Sequence, residues 1–219
     1  MSDPTRRARH RIIAMIAIVG AVYLVGNGRV PLWDRDEPRY AQASRQMLHS
    51  GDWVVPRFLD KPRVNKPPLI YWLQAGSMKW LGETDFAARL PSVVAMVATL
   101  VVLGASVWCA AGPRRAAWTI FIFATCGMTL AAAKMAITDS VLLVWILGAQ
   151  LCVYQIWRGR ATWWTYAVLG LAVAFGGLAK GPVILGVMGM TLLALWGMRA
   201  IDRHRTGEQI REGEAPAEP

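Results

Sequence analysis

Long apolar runs closed off by arginine clusters dominate this sequence and limit what it can fold into. A hydrocarbon layer of about 30 Å is crossed by about 20 apolar residues in a helix, which satisfies its own backbone groups on the way. Six stretches approach that description: Ile12 to Val25, Leu90 to Ala111, Ala116 to Ala133, Ser140 to Trp157, Trp163 to Ala179 and Val183 to Met198. Hydrophobic residues make up 55% of the 219 and charged ones 17%, and the apolar positions come in blocks rather than in the stripes of a soluble core. The fold expected is all-α, a polytopic membrane helix bundle of about six spans.

A formal net charge of +10 would suit a nucleic-acid partner, but the excess sits largely at the ends of the apolar runs. Arg6, Arg7, Arg9 and Arg11 precede the first run, Arg114 and Arg115 separate the second from the third, Arg158 and Arg160 the fourth from the fifth, and Arg199, Arg203 and Arg205 follow the last. With six spans all four groups fall on one side of the membrane, and the positive-inside rule makes that side the cytoplasm. Both termini are then cytoplasmic, and no nucleic acid is expected. Cys109, Cys126 and Cys152 lie within apolar runs without metal-ligand spacing and read as small hydrophobes. The first run follows an arginine-rich start but precedes no small-residue cleavage site, so it is read as a retained anchor.

The connection from Asn27 to Arg89 is the long one, and it lies outside in this orientation. It holds ten of the 24 Lys and Arg residues and seven of the 14 Asp and Glu residues, interleaved with Trp33, Trp53, Tyr71, Trp72 and Trp80. Loops of this length are functional or disordered, and this one is too aromatic for disorder. Asp36, Glu37 and Pro38 form a helix start, with Tyr40, Ser44, Met47 and Leu48 on one face and Gly51 as the stop. A second start at Pro67 and Pro68 leads into Leu69 to Leu81, which is too short to span and suits an interfacial position. The domain expected is therefore 1–205, with an outer loop at 27–89 carrying amphipathic interfacial helices. The polar, Pro-rich segment 206–219 reads as a disordered tail.

Charges other than the arginine groups mark a candidate site. Lys134, between the third and fourth runs, and Lys180, between the fifth and sixth, stand on the outer side, where orientation rules do not call for them. Asp139 begins the fourth run. With Asp36, Glu37, Arg39 and Lys66 of the loop they can line one site at the outer interface, and ionisable residues at span ends are functional candidates by default. Each also has a plainer use. Asp36 and Asp139 sit where helices begin and can act as caps, Lys134 and Lys180 can snorkel to headgroups, Arg39 and Arg45 can face solvent, and Lys61, Arg63 and Lys66 can form a surface basic cluster. Their convergence on one face, rather than any one of them, points to function.

Four segments in order carry a resemblance: Asp36-Glu37-Pro38-Arg39-Tyr40-Ala41, Ser50-Gly51-Asp52-Trp53-Val54-Val55-Pro56, Asn65-Lys66-Pro67-Pro68-Leu69-Ile70-Tyr71-Trp72 and Phe86-Ala87-Ala88-Arg89-Leu90-Pro91. Together they resemble the first outer loop of the polyprenyl-phosphate-dependent glycosyltransferases of the GT-C superfamily, that is, the lipid A aminoarabinose transferases and their protein O-mannosyltransferase relatives. Ile137-Thr138-Asp139-Ser140 and Gly177-Leu178-Ala179-Lys180-Gly181-Pro182 resemble two later motifs in the same order, and the likeness extends over roughly Arg11 to Met198. It implies inverting transfer of a sugar from undecaprenyl phosphate, or a similar carrier, to a lipid A, glycan or protein acceptor on the periplasmic side of a bacterial inner membrane.

By that resemblance Asp36 and Asp139 match the two acidic residues of the active site. Lys66 matches the lysine on the carrier phosphate, Lys180 the lysine of a later outer turn, and Glu37 and Arg39 supporting loop positions. Arg39 is grouped with the phosphate-binding cations, and Lys134 with the supporting residues. The chemistry suits these types: a carboxylate can accept or orient an acceptor hydroxyl proton, and a fixed cation stabilises the phosphate that gains charge as it leaves. In the aminoarabinose branch an acidic residue associated with metal binding precedes the loop lysine. Here it is Asn65, so neither a metal nor another cofactor is expected.

The resembling proteins are longer, with further spans and usually an outer soluble domain, so the chain corresponds to an N-terminal portion holding the donor side. The partners implied are the polyprenyl-phosphate sugar, a lipid or glycan acceptor and membrane lipids. A rival reading is a truncated, non-catalytic protein that binds lipid phosphate with the same half of the fold. A small transporter fits less well, because the charges gather at span ends and not at the midplane.

Overall fold

The computed structural model describes the backbone of residues 4–33, 36–59 and 61–213, with side chains from residue 5 to 201. In chain order its elements are α1 (Pro4–Leu24), α2 (Asp36–Ser50), β1 (Arg57–Phe58), β2 (Lys61–Pro62), α3 (Leu69–Leu81), α4 (Asp85–Ala111), α5 (Pro113–Thr125), α6 (Gly127–Lys134), α7 (Thr138–Trp157), α8 (Trp163–Lys180) and α9 (Val183–Gly213). The strands form a two-residue antiparallel hairpin pairing Arg57 with Pro62 and Phe58 with Lys61. The all-α expectation otherwise holds.

The chain divides into two compact units, Met1–Ile184 and Leu185–Pro219. The first contains every candidate site residue, and the second consists of most of the single helix α9 and the chain beyond it. The backbone of α9 stays helical through Gly213, into the segment whose sequence reads as a disordered tail, and 214–219 lie outside the described residues.

Among the described residues, three helical stretches are long and apolar enough to cross a membrane: α4, α7 and Val183–Ile201 of α9. A fourth span results if α5 and α6 count together, although they bend by 65° at their junction. The helices α1 and α8 occupy the two remaining expected positions, but neither passes the same test of length and hydropathy. Arg6, Arg7, Arg9 and Arg11 fill the start of α1, while α8 opens on Trp163-Trp164-Thr165-Tyr166 and closes on Lys180. The bend in the third apolar run arises at Cys126, whose extended backbone (φ −61°, ψ 128°) stops α5 one residue before Gly127 starts α6. The Cys126 N–H still donates to the Ile122 carbonyl at 3.1 Å, and the Leu130 N–H to the Cys126 carbonyl at 3.0 Å, so the break orphans few backbone groups.

Helix α4 is the centre of the first unit and packs on α1, α3, α5, α6 and α7, while α7 and α8 pair closely. Gly104 of α4 lets α5 approach, since a Cβ there would meet Ile120 Cδ1 at 2.5 Å. Tyr23, Val93, Met96, Leu100, Ile120, Ala124 and Ala133 make the core where α1, α4, α5 and α6 meet. Ala41, Met78, Ala87, Ala88 and Ala136 form a second core of mostly small residues, which brings α2, α3 and α4 close to the turn before α7.

The loop helices fold as their sequences demand. Acidic residues open α2 and suit its dipole. Gly51, with φ +70°, ends it in a conformation that a side chain would disfavour. Tyr40, Ala41, Ser44 and Met47 turn inward. Helix α3 runs over Leu69–Leu81 as expected, between Pro68 and Gly82, and buries Leu69, Ile70, Tyr71, Gln74, Ala75 and Met78, leaving Leu73, Trp80 and Leu81 exposed. Thr84 caps α4 by accepting from the Ala87 N–H at 3.2 Å.

Candidate functional site

Glu37 organises the loop end of the first unit. Its side chain is 1% exposed and uses both oxygens: Oε1 accepts from the Ala136 N–H at 2.6 Å and Arg89 Nε at 3.1 Å, Oε2 from the Trp33 N–H at 2.7 Å and Arg89 Nη2 at 3.0 Å. Arg89 is buried with it, and it also donates through Nη1 to the carbonyls of Asn27 (2.8 Å) and Val30 (2.6 Å) and through Nη2 to that of Pro31 (3.0 Å). All five guanidinium N–H groups therefore have acceptors. Such complete pairing is what makes a buried ion pair tolerable. One knot joins the segment after α1, the start of α2, the start of α4 and the turn before α7.

A neutral network reinforces it. Ser44 Oγ donates to Gln74 Oε1 at 2.8 Å, and Gln74 Nε2 donates to the carbonyls of Ala88 (3.2 Å) and Ala136 (3.4 Å). Gln74 and Ser44 are fully buried. Helix α2 is thus tied to the turn before α7 twice, at its first turn through Glu37 and farther along through Ser44 and Gln74.

Asp36 sits beside that knot and outside it. It occupies the first turn of α2, is exposed, and makes no hydrogen bond or ion pair with another described residue. Its charge reaches Tyr40 and Tyr71, whose rings lie 5.7 Å apart. Burial pushes the Tyr40 hydroxyl up to about 12, with Tyr71 and Asp36 adding, while a hydrogen bond with the Thr138 side chain and the charge of Arg63 pull the other way. Burial also raises the Tyr71 hydroxyl, against the opposing effect of Arg63. Through Tyr40 and Thr138 the Asp36 end of α2 touches the residue that precedes Asp139.

Arg63 completes this cluster. Its Nε donates to the Tyr71 hydroxyl at 2.9 Å, and its guanidinium carbon lies 5.4 Å from the Tyr40 ring centroid and 5.8 Å from that of Phe58. The hairpin aims it, since the Arg63 N–H donates to the Pro56 carbonyl at 2.7 Å. Arg39 and Lys66 are half-buried, and neither bonds to another described side chain.

Asp139 lies in the first turn of α7, but that helix has no side-chain cap, so capping is not its use. Its carboxylate accepts instead from Lys180 Nζ at the end of α8, in an ion pair whose side chains are 50% and 29% exposed. Lys134 is employed differently: Nζ donates to the Val25 carbonyl at 2.6 Å, and reaches the Tyr23 carbonyl and Asn27 Oδ1 at 3.5 Å. It closes the carbonyl end of α1, beside a cavity of about 320 Å³ lined in part by Asn27, Trp33, Glu37, Arg89 and Met135. No three His, Cys, Asp or Glu side chains converge among the described residues, and Asn65 is exposed.

Asp36 and the Asp139–Lys180 pair thus belong to helix starts and ends that meet, Glu37 is the buried anchor next to Asp36, and Lys134 serves α1. Sequence reasoning assigned no site role to Arg89, Gln74, Tyr40, Tyr71 or Arg63. For Arg89 a signal existed, because an arginine at the head of an apolar run needs an acid or a set of carbonyls.

The sequence matches the family described as Dolichyl-phosphate-mannose-protein mannosyltransferase over residues 10–211. It is 35% identical over 182 residues to the undecaprenyl phosphate-alpha-4-amino-4-deoxy-L-arabinose arabinosyl transferase of Serratia proteamaculans, covering 80% of this chain and 32% of that protein. Transferase 2 of the same description from Sodalis glossinidius is 29% identical, over 83% of this chain and 34% of its own length. The crystal structures of ArnT from Cupriavidus metallidurans, apo and bound to undecaprenyl phosphate, each superpose with a TM-score of 0.77 at 24% identity, covering 86% and 85% of this chain and 36% and 35% of theirs. The chain spans about a third of the length of the relatives it matches, and the superpositions establish a shared membrane fold.

Proposed function

This chain belongs to the dolichyl-phosphate-mannose-protein mannosyltransferase family, and on that footing we propose that its loop end forms the donor side of a glycosyltransferase site. The donor is a sugar on undecaprenyl phosphate, the carrier named for its arabinosyl transferase relatives, and transfer proceeds with inversion to a lipid A, glycan or protein hydroxyl or phosphate. The site faces the periplasm from a bacterial inner membrane, with both termini cytoplasmic, and residues 1–205 form the transferase-like domain.

The observation that carries this reading is the seam between α2 and α7. The bond of Glu37 Oε1 to the Ala136 N–H, at 2.6 Å, supports a common site for Asp36 and Asp139. Asp36 has no competing partner among the described residues, as suits a group that must accept or orient an acceptor proton. Lys180 is held by Asp139 and Lys66 is unpartnered among described residues, so the two lysines can stabilise charge on the leaving phosphate. As the sugar–phosphate bond breaks, the electron pair leaves with the carrier phosphate, the acceptor oxygen bonds the anomeric carbon from the opposite face, and its proton passes to Asp36.

Transfer from radiolabelled undecaprenyl-phosphate aminoarabinose to lipid A, in proteoliposomes holding the chain, tests the assignment. Asp36→Asn should reduce transfer at least about a thousandfold, given what a positioned base and an oriented nucleophile contribute together, while undecaprenyl phosphate still binds. Undiminished transfer by the variant would remove Asp36 from the chemistry.

A further inference from the structure

We propose that Arg63 is the main clamp on the phosphate of the polyprenyl carrier, with Lys66 its auxiliary; this rests on the donor reading. Arg63 is the one guanidinium among the described residues that aromatic rings and a hydroxyl fix together. Tyr40 and Phe58 pack on it, Tyr71 accepts from Nε, and its own N–H is tied to Pro56. These contacts use one N–H of the five that a guanidinium carries. The two η nitrogens have no acceptor among the described residues, and no described carboxylate forms an ion pair with Arg63.

That arrangement differs from the other half-buried or buried arginines of the loop end. Arg89 has every donor satisfied, and Arg45 pairs with Glu83. A guanidinium held in place with a fork edge that no described residue occupies fits two oxygens of one anion, and a phosphate is the anion whose geometry matches the fork. Nε is the guanidinium nitrogen already bonded, to the Tyr71 hydroxyl, which leaves the two η nitrogens for an anion. Asp36 acts on the same two tyrosines, so a phosphate seated on Arg63 would lie next to the carboxylate assigned to the acceptor. Lys66, three residues along, is a point charge on a flexible stem without a described partner. It adds attraction but not orientation.

The hairpin gains a purpose from this. Its two-residue strands are too short to be stable alone. They hold Phe58 beneath Arg63 and turn the chain from Pro56 back toward α3.

The 219-residue chain in phosphatidylcholine nanodiscs, titrated with undecaprenyl phosphate and in parallel with undecaprenol, tests the clamp. Arg63→Gln should weaken undecaprenyl phosphate binding about tenfold or more, the usual cost of losing charged hydrogen bonds, and leave undecaprenol binding unchanged. Arg63→Lys should recover less than half of the lost free energy, because charge without the fork is not enough. Tyr71→Phe, which keeps the core filled but removes the acceptor for Nε, should weaken the phosphate lipid a few-fold and not the alcohol. Unchanged undecaprenyl phosphate binding by Arg63→Gln overturns the clamp while leaving the donor reading intact. Equal loss of both lipids by Arg63→Gln and Tyr71→Phe overturns it in favour of a purely structural arginine. A wild-type chain that does not distinguish the phosphate from the alcohol overturns the donor reading and the clamp with it.

Discussion

Asp36 and Glu37 are adjacent carboxylates with opposite fates. Glu37 is buried, accepts four hydrogen bonds and is neutralised by Arg89, whereas Asp36 is exposed and unbonded to any described residue. The same contrast divides the cations around them: Arg89 has committed all its donors to the fold, while Arg39, Lys66 and the fork of Arg63 bond to no described side chain. One set of charges builds a rigid seam and the other is displayed on it. A site that must hold an anion and move a proton needs both, since preorganisation comes from groups that cannot themselves react.

The sharpest way to break that contrast is to open the knot. Arg89→Met would leave the Glu37 carboxylate buried with two backbone donors and no counter-charge, and removing one partner of such a pair costs about 3–5 kcal/mol. Denaturant unfolding of the chain in detergent micelles should show a loss of that size, with Glu37→Gln/Arg89→Met recovering a large part of it. Asp36→Asn should stay within about 0.5 kcal/mol of wild type in the same measurement, as expected of an exposed group away from any network. If Arg89→Met unfolded like wild type, the knot would not be what holds α2 against α7.

Much of this was legible in the sequence, and unevenly so. The bounds of α2 follow from an acidic opening and Gly51, and the start of α3 from Pro67 and Pro68, while Gly82 as its C-cap is a finding of the structure. The apolar runs became helices, of which α4, α7 and Val183–Ile201 pass for spans on length and composition among the described residues, with α5 and α6 a fourth if counted together. The break at Cys126 did not show, since the run from Ala116 to Ala133 is apolar throughout and a single extended residue leaves no trace in hydropathy. At the site, Lys134 and Lys180 stood out as cations where orientation rules call for none, and Asp36 and Asp139 as acids at helix starts. The partners of Arg89 did not, because three of its acceptors are backbone carbonyls of residues 27–31, which any sequence offers. Arg63 looked like part of a surface basic cluster for a related reason: its rings come from α2, the hairpin and α3, and only tertiary structure brings them to it.

The comparison extends to protonation. The Tyr40 hydroxyl sits between the buried seam and the displayed charges, and burial raises it from the ordinary 10.0 to about 12. A folded-state value above the unfolded one means that the neutral phenol favours the native chain. That contribution is fully present below pH 10 and is lost as pH rises through about 12. Ultraviolet titration should therefore show a component ionising at about 12 that Tyr40→Phe lacks, and wild-type stability should fall over this window more than that of the variant. If the component lost in Tyr40→Phe ionised at the ordinary 10.0 instead, the hydroxyl would lie in water and Asp36 would be detached from the seam.

The smallest effect is expected at the Asp139–Lys180 pair, which lies between the two classes. It is bonded like the knot but half-open like the display, and pairs of that exposure contribute about 0–1 kcal/mol. A double-mutant cycle with Asp139→Asn and Lys180→Gln should give a coupling in that range for unfolding, and it should shrink as salt is raised. If the pair is held ready for chemistry, the same cycle on sugar transfer should give a coupling several times larger, because a lysine that turns to the leaving phosphate is needed there and not for folding. A coupling above about 3 kcal/mol in unfolding, the scale of a buried pair, would move Asp139 into the company of Glu37. It would leave Asp36 as the one acidic group of the seam not committed to structure.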